Sequence, residues 1–203
     1  MGRDTAAAVA LGCSLVMSRD EQATFAILTA DQVMGDLPVF KQTLLDAFSL
    51  AEREDVLITM GITPLHPDTG FGYIRVDAPR ETGTETRFYN VKKFEEKPTL
   101  PRAREFVQAG TCYWNSGMFI WSVKSLRNGL TRCCSALTRM MDLVGPRIGE
   151  DDFMEVLRSE YENLSKISVD YALMEKADNI VMAVGKSGAT ADRDRLSIRF
   201  GDV

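Results

Sequence analysis

The sequence predicts an α/β fold in which helices cover a largely parallel sheet, and two observations carry that prediction. Helical and strand periodicities alternate from Ala6 to Gly61. The 203 residues are 45% hydrophobic, enough to bury a substantial core in one ordinary domain. Such alternation implies right-handed crossovers between parallel strands, and sheets of that kind bind ligands outside the carboxyl ends of their strands.

Taken in order, residues 6–17 place apolar side chains at helical spacing behind Thr5, a natural cap. The β-branched and apolar run 24–28 reads as a short buried strand ending at Thr29-Ala30-Asp31, with Asp31 at its carboxyl end. Pro38 suits the first turn of a helix whose apolar face carries Phe40, Leu44, Leu45, Phe48 and Ala51, and residues 56–61 form the next strand. Residues 70–76 and 89–95 read as strands separated by a polar, glycine-containing connection, and 113–123 as another apolar strand. Helical periodicity over 125–162 breaks near Gly145-Pro146 and Gly149, giving two or three helices, and residues 179–184 supply a last strand. One domain is thus expected over residues 1–184. From Gly185 to Val203 the composition turns to Gly, Ser, Thr, Asp and Arg without apolar periodicity, which predicts an irregular tail.

Charge and cysteine usage exclude several classes. With 24 basic and 29 acidic residues the net charge is -5, which argues against nucleic acid and anionic membrane as partners. The most apolar stretch, 6–17, is too short to span a bilayer, and Arg3 beside Asp4 makes a poor signal-peptide flank. Cys13, Cys112, Cys133 and Cys134 show no CxxC spacing, and His66, between Pro64 and Pro67, has no cysteine near it in sequence. A zinc site is not expected, and reduced thiols in a cytoplasmic protein are the simplest reading.

The residues alone leave roles open. Asp31 at a strand end caps a turn or the next helix, or ligates a cation. Lys92-Lys93 through Lys97 is a solvated charge run or a phosphate site. Gly70 and Gly72 form a turn into a strand, or let backbone approach a ligand closely. Ser168 and Asp170 are N-caps or polar contacts for a ligand. Glu95 and Glu96 cannot form a glycosidase pair, because adjacent strand residues point to opposite faces.

Seven motifs taken together are more specific. Gly2-Arg3-Asp4-Thr5-Ala6, Leu28-Thr29-Ala30-Asp31, Gly61-Ile62-Thr63-Pro64 and Thr69-Gly70-Phe71-Gly72-Tyr73-Ile74 are followed by Phe94-Glu95-Glu96-Lys97-Pro98, Trp114-Asn115-Ser116-Gly117-Met118-Phe119 and Ser168-Val169-Asp170-Tyr171-Ala172-Leu173-Met174-Glu175-Lys176. In order and spacing they resemble the mannose-1-phosphate guanylyltransferases over residues 2–184. The resemblance implies a Rossmann-like nucleotidyltransferase fold with a mixed, mainly parallel sheet. It implies an enzyme that joins GTP and mannose 1-phosphate into GDP-mannose and pyrophosphate, with Mg2+ as cofactor.

Residue by residue, the resemblance makes Asp31 the magnesium ligand and, with Lys97, a catalytic residue. It gives Lys97 the sugar phosphate, Glu96 the sugar hydroxyls, Gly70, Gly72 and Tyr73 the sugar face, Asn115 a sugar contact and Asp170 an acidic substrate position. Trp114 and Met118 read as core or pocket wall. Arg3 to Ala6 matches the segment beside the nucleotide base, with Asp4 where asparagine is usual. The family's glycine-rich triphosphate loop precedes the first motif matched here, and its Trp-x-Asp-x-Gly segment has no match in Gly185 to Val203. A catalytically inactive sugar-phosphate or nucleotide-binding homologue is the alternative. The partners expected are GTP and mannose 1-phosphate, with room for a homo-oligomer.

Overall fold

The computed structural model describes residues 2–30, 32–34, 36–185 and 198–200. In chain order the elements are α1 (Asp4–Met17), β1 (Thr24–Ile27), β2 (Gln32–Met34), α2 (Leu37–Arg53), β3 (Leu57–Ile62), β4 (Tyr73–Arg80), β5 (Arg87–Glu95), α3 (Leu100–Ala109), β6 (Cys112–Ser122), α4 (Val123–Cys133), α5 (Ser135–Val144), α6 (Phe153–Glu162), β7 (Ile180–Val184) and β8 (Ile198–Phe200). They fall into two compact units, residues 1–25 with 122–177 and residues 26–121 with 178–203.

The second unit holds the six-stranded sheet, apart from the first residues of β1 and the last of β6. Its order is β1-β6-β3-β7-β5-β4, and β6 also pairs with β4. The sheet is mixed, but the expected preponderance of parallel pairing is not found. β3 and β7 run parallel, whereas β3–β6, β4–β5, β4–β6 and β5–β7 are antiparallel. The connections explain the difference: a short link such as 81–86 between β4 and β5 returns the chain antiparallel, and only a long crossover permits a parallel neighbour. Within 185–203, residues 198–200 form β8, antiparallel to β2.

Helix α2 starts where Asp36 accepts a hydrogen bond from Val39 N at 3.1 Å, with Pro38 in the first turn. Its buried stripe is Thr43, Asp46, Ala47, Leu50 and Ala51. Leu45, expected on the apolar face, is instead 54% exposed, because two residues from Ala47 is the opposite side of a helix. The small residues Ala47 and Ala51 let the helix lie close over Ile58 and Met60 of β3 and Val181 and Ala183 of β7. Asp46 is buried but satisfied: its carboxylate accepts from Thr86 Oγ1 at 2.6 Å, Thr86 N at 3.2 Å and Gln42 Nε2 at 2.9 Å.

The sequence reading assigns no element to α3. Its apolar positions are few, Ala103 and Phe106 being the buried ones, and charged residues surround them. Pro101 in its first turn and Gly110 in the left-handed region (φ 67°) mark its two ends. α3 covers Tyr73, Cys112 and Trp114, the apolar end of β4 and β6.

The first unit is helical. α5 packs against α1, α4 and α6, so residues 125–162 do hold helices interrupted at Gly145-Pro146, where a 3-10 turn intervenes, and at Gly149 (φ 93°). Thr5 does not cap α1. Its Oγ1 accepts from Val169 N at 2.9 Å, and Ala6 N donates to Ile167 O at 3.2 Å. The Arg3 guanidinium donates to the carbonyls of Tyr161 and Glu162, a cation at the C-terminus of α6.

Candidate functional site

The candidate site lies where β6 passes from one neighbour to another. Tyr113 is opposite Ile74 of β4, Trp114 is opposite both Tyr73 of β4 and Ile62 of β3, and Asn115 is opposite Gly61 of β3. At this corner Asn115 N donates to Gly72 O at 2.8 Å. A Cβ on Gly72 would run into Glu96 Oε2 and stand 3.2 Å from Phe94 Cζ and 3.4 Å from Asn115 Cβ. The absent side chain is therefore what lets Gly72, Glu96 and Asn115 converge.

Asn115 is buried and held in place. Its Oδ1 accepts from Thr59 Oγ1 at 2.8 Å and from Gly117 N at 3.3 Å. Gly117 has φ 71°, and a Cβ there would lie 3.3 Å from Thr29 Cγ2, so the segment after β1 reaches the same corner. Sequence reasoning missed Thr59 and Gly117 as members of the site. Gly117 stands inside a quoted motif, but Thr59 is brought to Asn115 only by the β3–β6 register.

Lys97 follows the end of β5. Its Nζ is 3.8 Å from Glu96 Oε1; the lysine side chain is 60% exposed and that of Glu96 only 11%. Glu95 turns elsewhere, pairing with Lys93 at 2.9 Å and Arg102 at 3.6 Å, the opposite-face geometry expected of neighbours on a strand. Lys97 has φ 46°, directly before Pro98. A bulky residue at positive φ is uncommon, and the following proline narrows its choices further, so the backbone here is strained. Strain of this kind gathers at ligand clamps.

The other predicted residues are placed as follows. Gly70 N donates to Asp68 Oδ1 at 2.7 Å, and Asp68 N donates to the Tyr73 hydroxyl at 3.0 Å. Tyr73 is only 1% exposed, its ring 5.2 Å from that of Phe106, so its hydroxyl holds the loop before Gly70. Asp170 belongs to the other unit and opens a π-helical segment, Asp170–Met174, in which Ser168 Oγ accepts from Tyr171 N at 3.3 Å. Asp31 lies outside the described residues. Among the described residues, no three His, Cys, Asp or Glu side chains gather into a metal cage.

A family model described as nucleotidyl transferase matches residues 1–146. The chain belongs to the nucleotidyl transferase family. Within it, the chain is 33% identical over 195 residues to mannose-1-phosphate guanylyltransferase of Klebsiella pneumoniae, covering 91% of this chain and 39% of that protein. It is 34% identical over 183 residues to the alginate biosynthesis protein AlgA of Pseudomonas aeruginosa, covering 86% of this chain and 36% of that one. The chain thus spans under two fifths of the length of these curated relatives. Among solved structures it superposes with TM-score 0.76 and 31% identity on mannose-1-phosphate geranyltransferase from Thermus thermophilus, covering 91% of this chain and 51% of that one. A mannose-6-phosphate isomerase from Helicobacter pylori gives TM-score 0.73 at 27% identity, covering 90% of this chain and 68% of that one.

Proposed function

We propose that the chain carries the sugar-phosphate side of a nucleotidyl transfer site that forms GDP-mannose and pyrophosphate from GTP and mannose 1-phosphate. The observation that supports this reading most is the convergence of Gly72, Glu96, Lys97 and Asn115 at one corner of the sheet. A sugar 1-phosphate offers hydroxyls and a dianionic phosphate. Glu96 and Asn115 suit the hydroxyls, and the exposed Lys97 ammonium is a compact charge for the phosphate.

The chemistry asks little of a general base. An oxygen of the already ionised sugar phosphate attacks the α-phosphorus of the nucleotide, a new P–O bond forms, and the bond to the β-phosphate oxygen breaks to release pyrophosphate. Catalysis then rests on alignment and on neutralising crowded phosphate charge. Lys97 holds the nucleophilic phosphate, and its strained backbone sets where the ammonium stands. Asp31 is the residue that would hold Mg2+, which supplies charge neutralisation at the phosphates when bound.

The test is pyrophosphate release by the purified chain with Mg2+, GTP and mannose 1-phosphate, repeated with other nucleoside triphosphates and hexose 1-phosphates. Release favouring this pair supports the reading, and abolition in Lys97→Ala supports the role given to Lys97. If nothing is released but mannose 1-phosphate raises the thermal midpoint, the sugar-phosphate half of the site stands, and the triphosphate-gripping loop becomes the suspect beside the inactive-homologue alternative. Neither release nor protection rejects both.

A further inference from the structure

The loop leading into Gly70 and Gly72 is braced by the chain's single histidine. His66 meets Trp114 edge-on, with ring centroids 5.2 Å apart and planes at 74°, while Phe71 lies 4.8 Å from the same indole. The Trp114 indole N–H is buried without a hydrogen-bond partner among the described residues, so ring contacts hold it. His66 Nε2 stands 3.4 Å from Asp68 Oδ2. The other oxygen of that carboxylate accepts from Gly70 N at 2.7 Å. A continuous set of contacts thus runs from Trp114 through His66 and Asp68 to Gly70, two residues before the glycine that faces Glu96 and Asn115.

We propose that His66 is a positioning residue for the sugar phosphate: it orients Asp68, which sets Gly70 N and with it the approach of the Gly72 backbone to Glu96. The inference rests on the function proposed above and adds to it a residue that acts through a neighbour. The His66 side chain is 62% exposed, so it buries little area and removing it costs the fold little, while the orientation of one carboxylate depends on it.

The test is calorimetric titration of mannose 1-phosphate into the chain and its His66→Gln, Asp68→Ala and double variants. His66→Gln is expected to weaken binding about threefold to fivefold, the size of one exposed polar contact. Its thermal midpoint should stay within about 2 °C of the parent. The double variant should bind no more weakly than Asp68→Ala, because the two residues act in series. In steady state, His66→Gln should raise KM for the sugar phosphate and leave kcat within about twofold. Unchanged affinity in His66→Gln, additive losses in the double variant, or a His66→Gln chain that fails to fold overturns the proposal while the functional reading stands. A parent chain that does not bind mannose 1-phosphate overturns both.

Discussion

Lys97 and Gly72 do opposite things with their backbones. Lys97 carries a side chain where φ is 46°, and Gly72 omits one where Glu96 needs the room. Replacing Lys97 by glycine should therefore stabilise the fold by about 1 kcal/mol, since glycine tolerates that φ, and should weaken sugar-phosphate binding at least about tenfold. Thermal melts and titration of the same sample check both halves; a variant that loses stability would remove strain from the account of Lys97. Gly72→Ala should weaken mannose 1-phosphate binding more than about tenfold by pushing Glu96 aside, and should lower the midpoint slightly because the buried Phe94 ring, 3.2 Å from the new Cβ, must also give. Cys13 offers a test away from the site. Burial, only partly opposed by Arg127, pushes its thiol from 9.0 up to about 12. Above pH 9 the unfolded chain sheds a proton that the folded chain keeps, so this contribution is whole below pH 9 and is lost as pH rises toward 12. Cys13→Ala should flatten the fall of the thermal midpoint between about pH 9 and 11.

At the scale of elements, two contacts fix α2 and β7 to the sheet. Asp46 ties α2 to Thr86, just before β5, through two accepted hydrogen bonds, and Asp46→Ala should cost about 2–4 kcal/mol in urea unfolding because it leaves the Thr86 donors unpaired. Gly61, at the β3 irregularity, faces Met182 of β7, and a Cβ there would strike its sulfur. Gly61→Ala should destabilise by about 1–3 kcal/mol, and Met182→Ala should recover part of that loss by opening the space. These elements also show what a sequence can and cannot convey. β3 and α2 were legible because β3 is a short apolar run and α2 repeats apolar residues at helical spacing behind Pro38, although Leu45 falls off the buried face. α3 was not, because a short helix with two buried residues looks like charged loop, although Pro101 and Gly110 marked its ends. The parallel sheet was over-read because no helix separates β3, β4 and β5, and β6, although it follows α3, runs antiparallel to β3 and β4.

For the molecule as a whole, motif order was enough to find the family and to name Gly72, Glu96, Lys97 and Asn115, which do converge. It could not supply Thr59, whose hydroxyl reaches Asn115 across 56 residues through strand register, nor the path from Trp114 through His66 to Gly70. Those depend on non-local pairing that no local pattern encodes. The central claim is that the corner formed by β3, β4 and β6 with Glu96 and Lys97 holds a sugar 1-phosphate. Calorimetric titration of mannose 1-phosphate into the chain and into Lys97→Ala tests it most directly. The account predicts saturable binding by the parent and loss of at least about tenfold in affinity in the variant, the weight of a charge-assisted contact. Equal affinity in the two chains, or none in the parent, would contradict it.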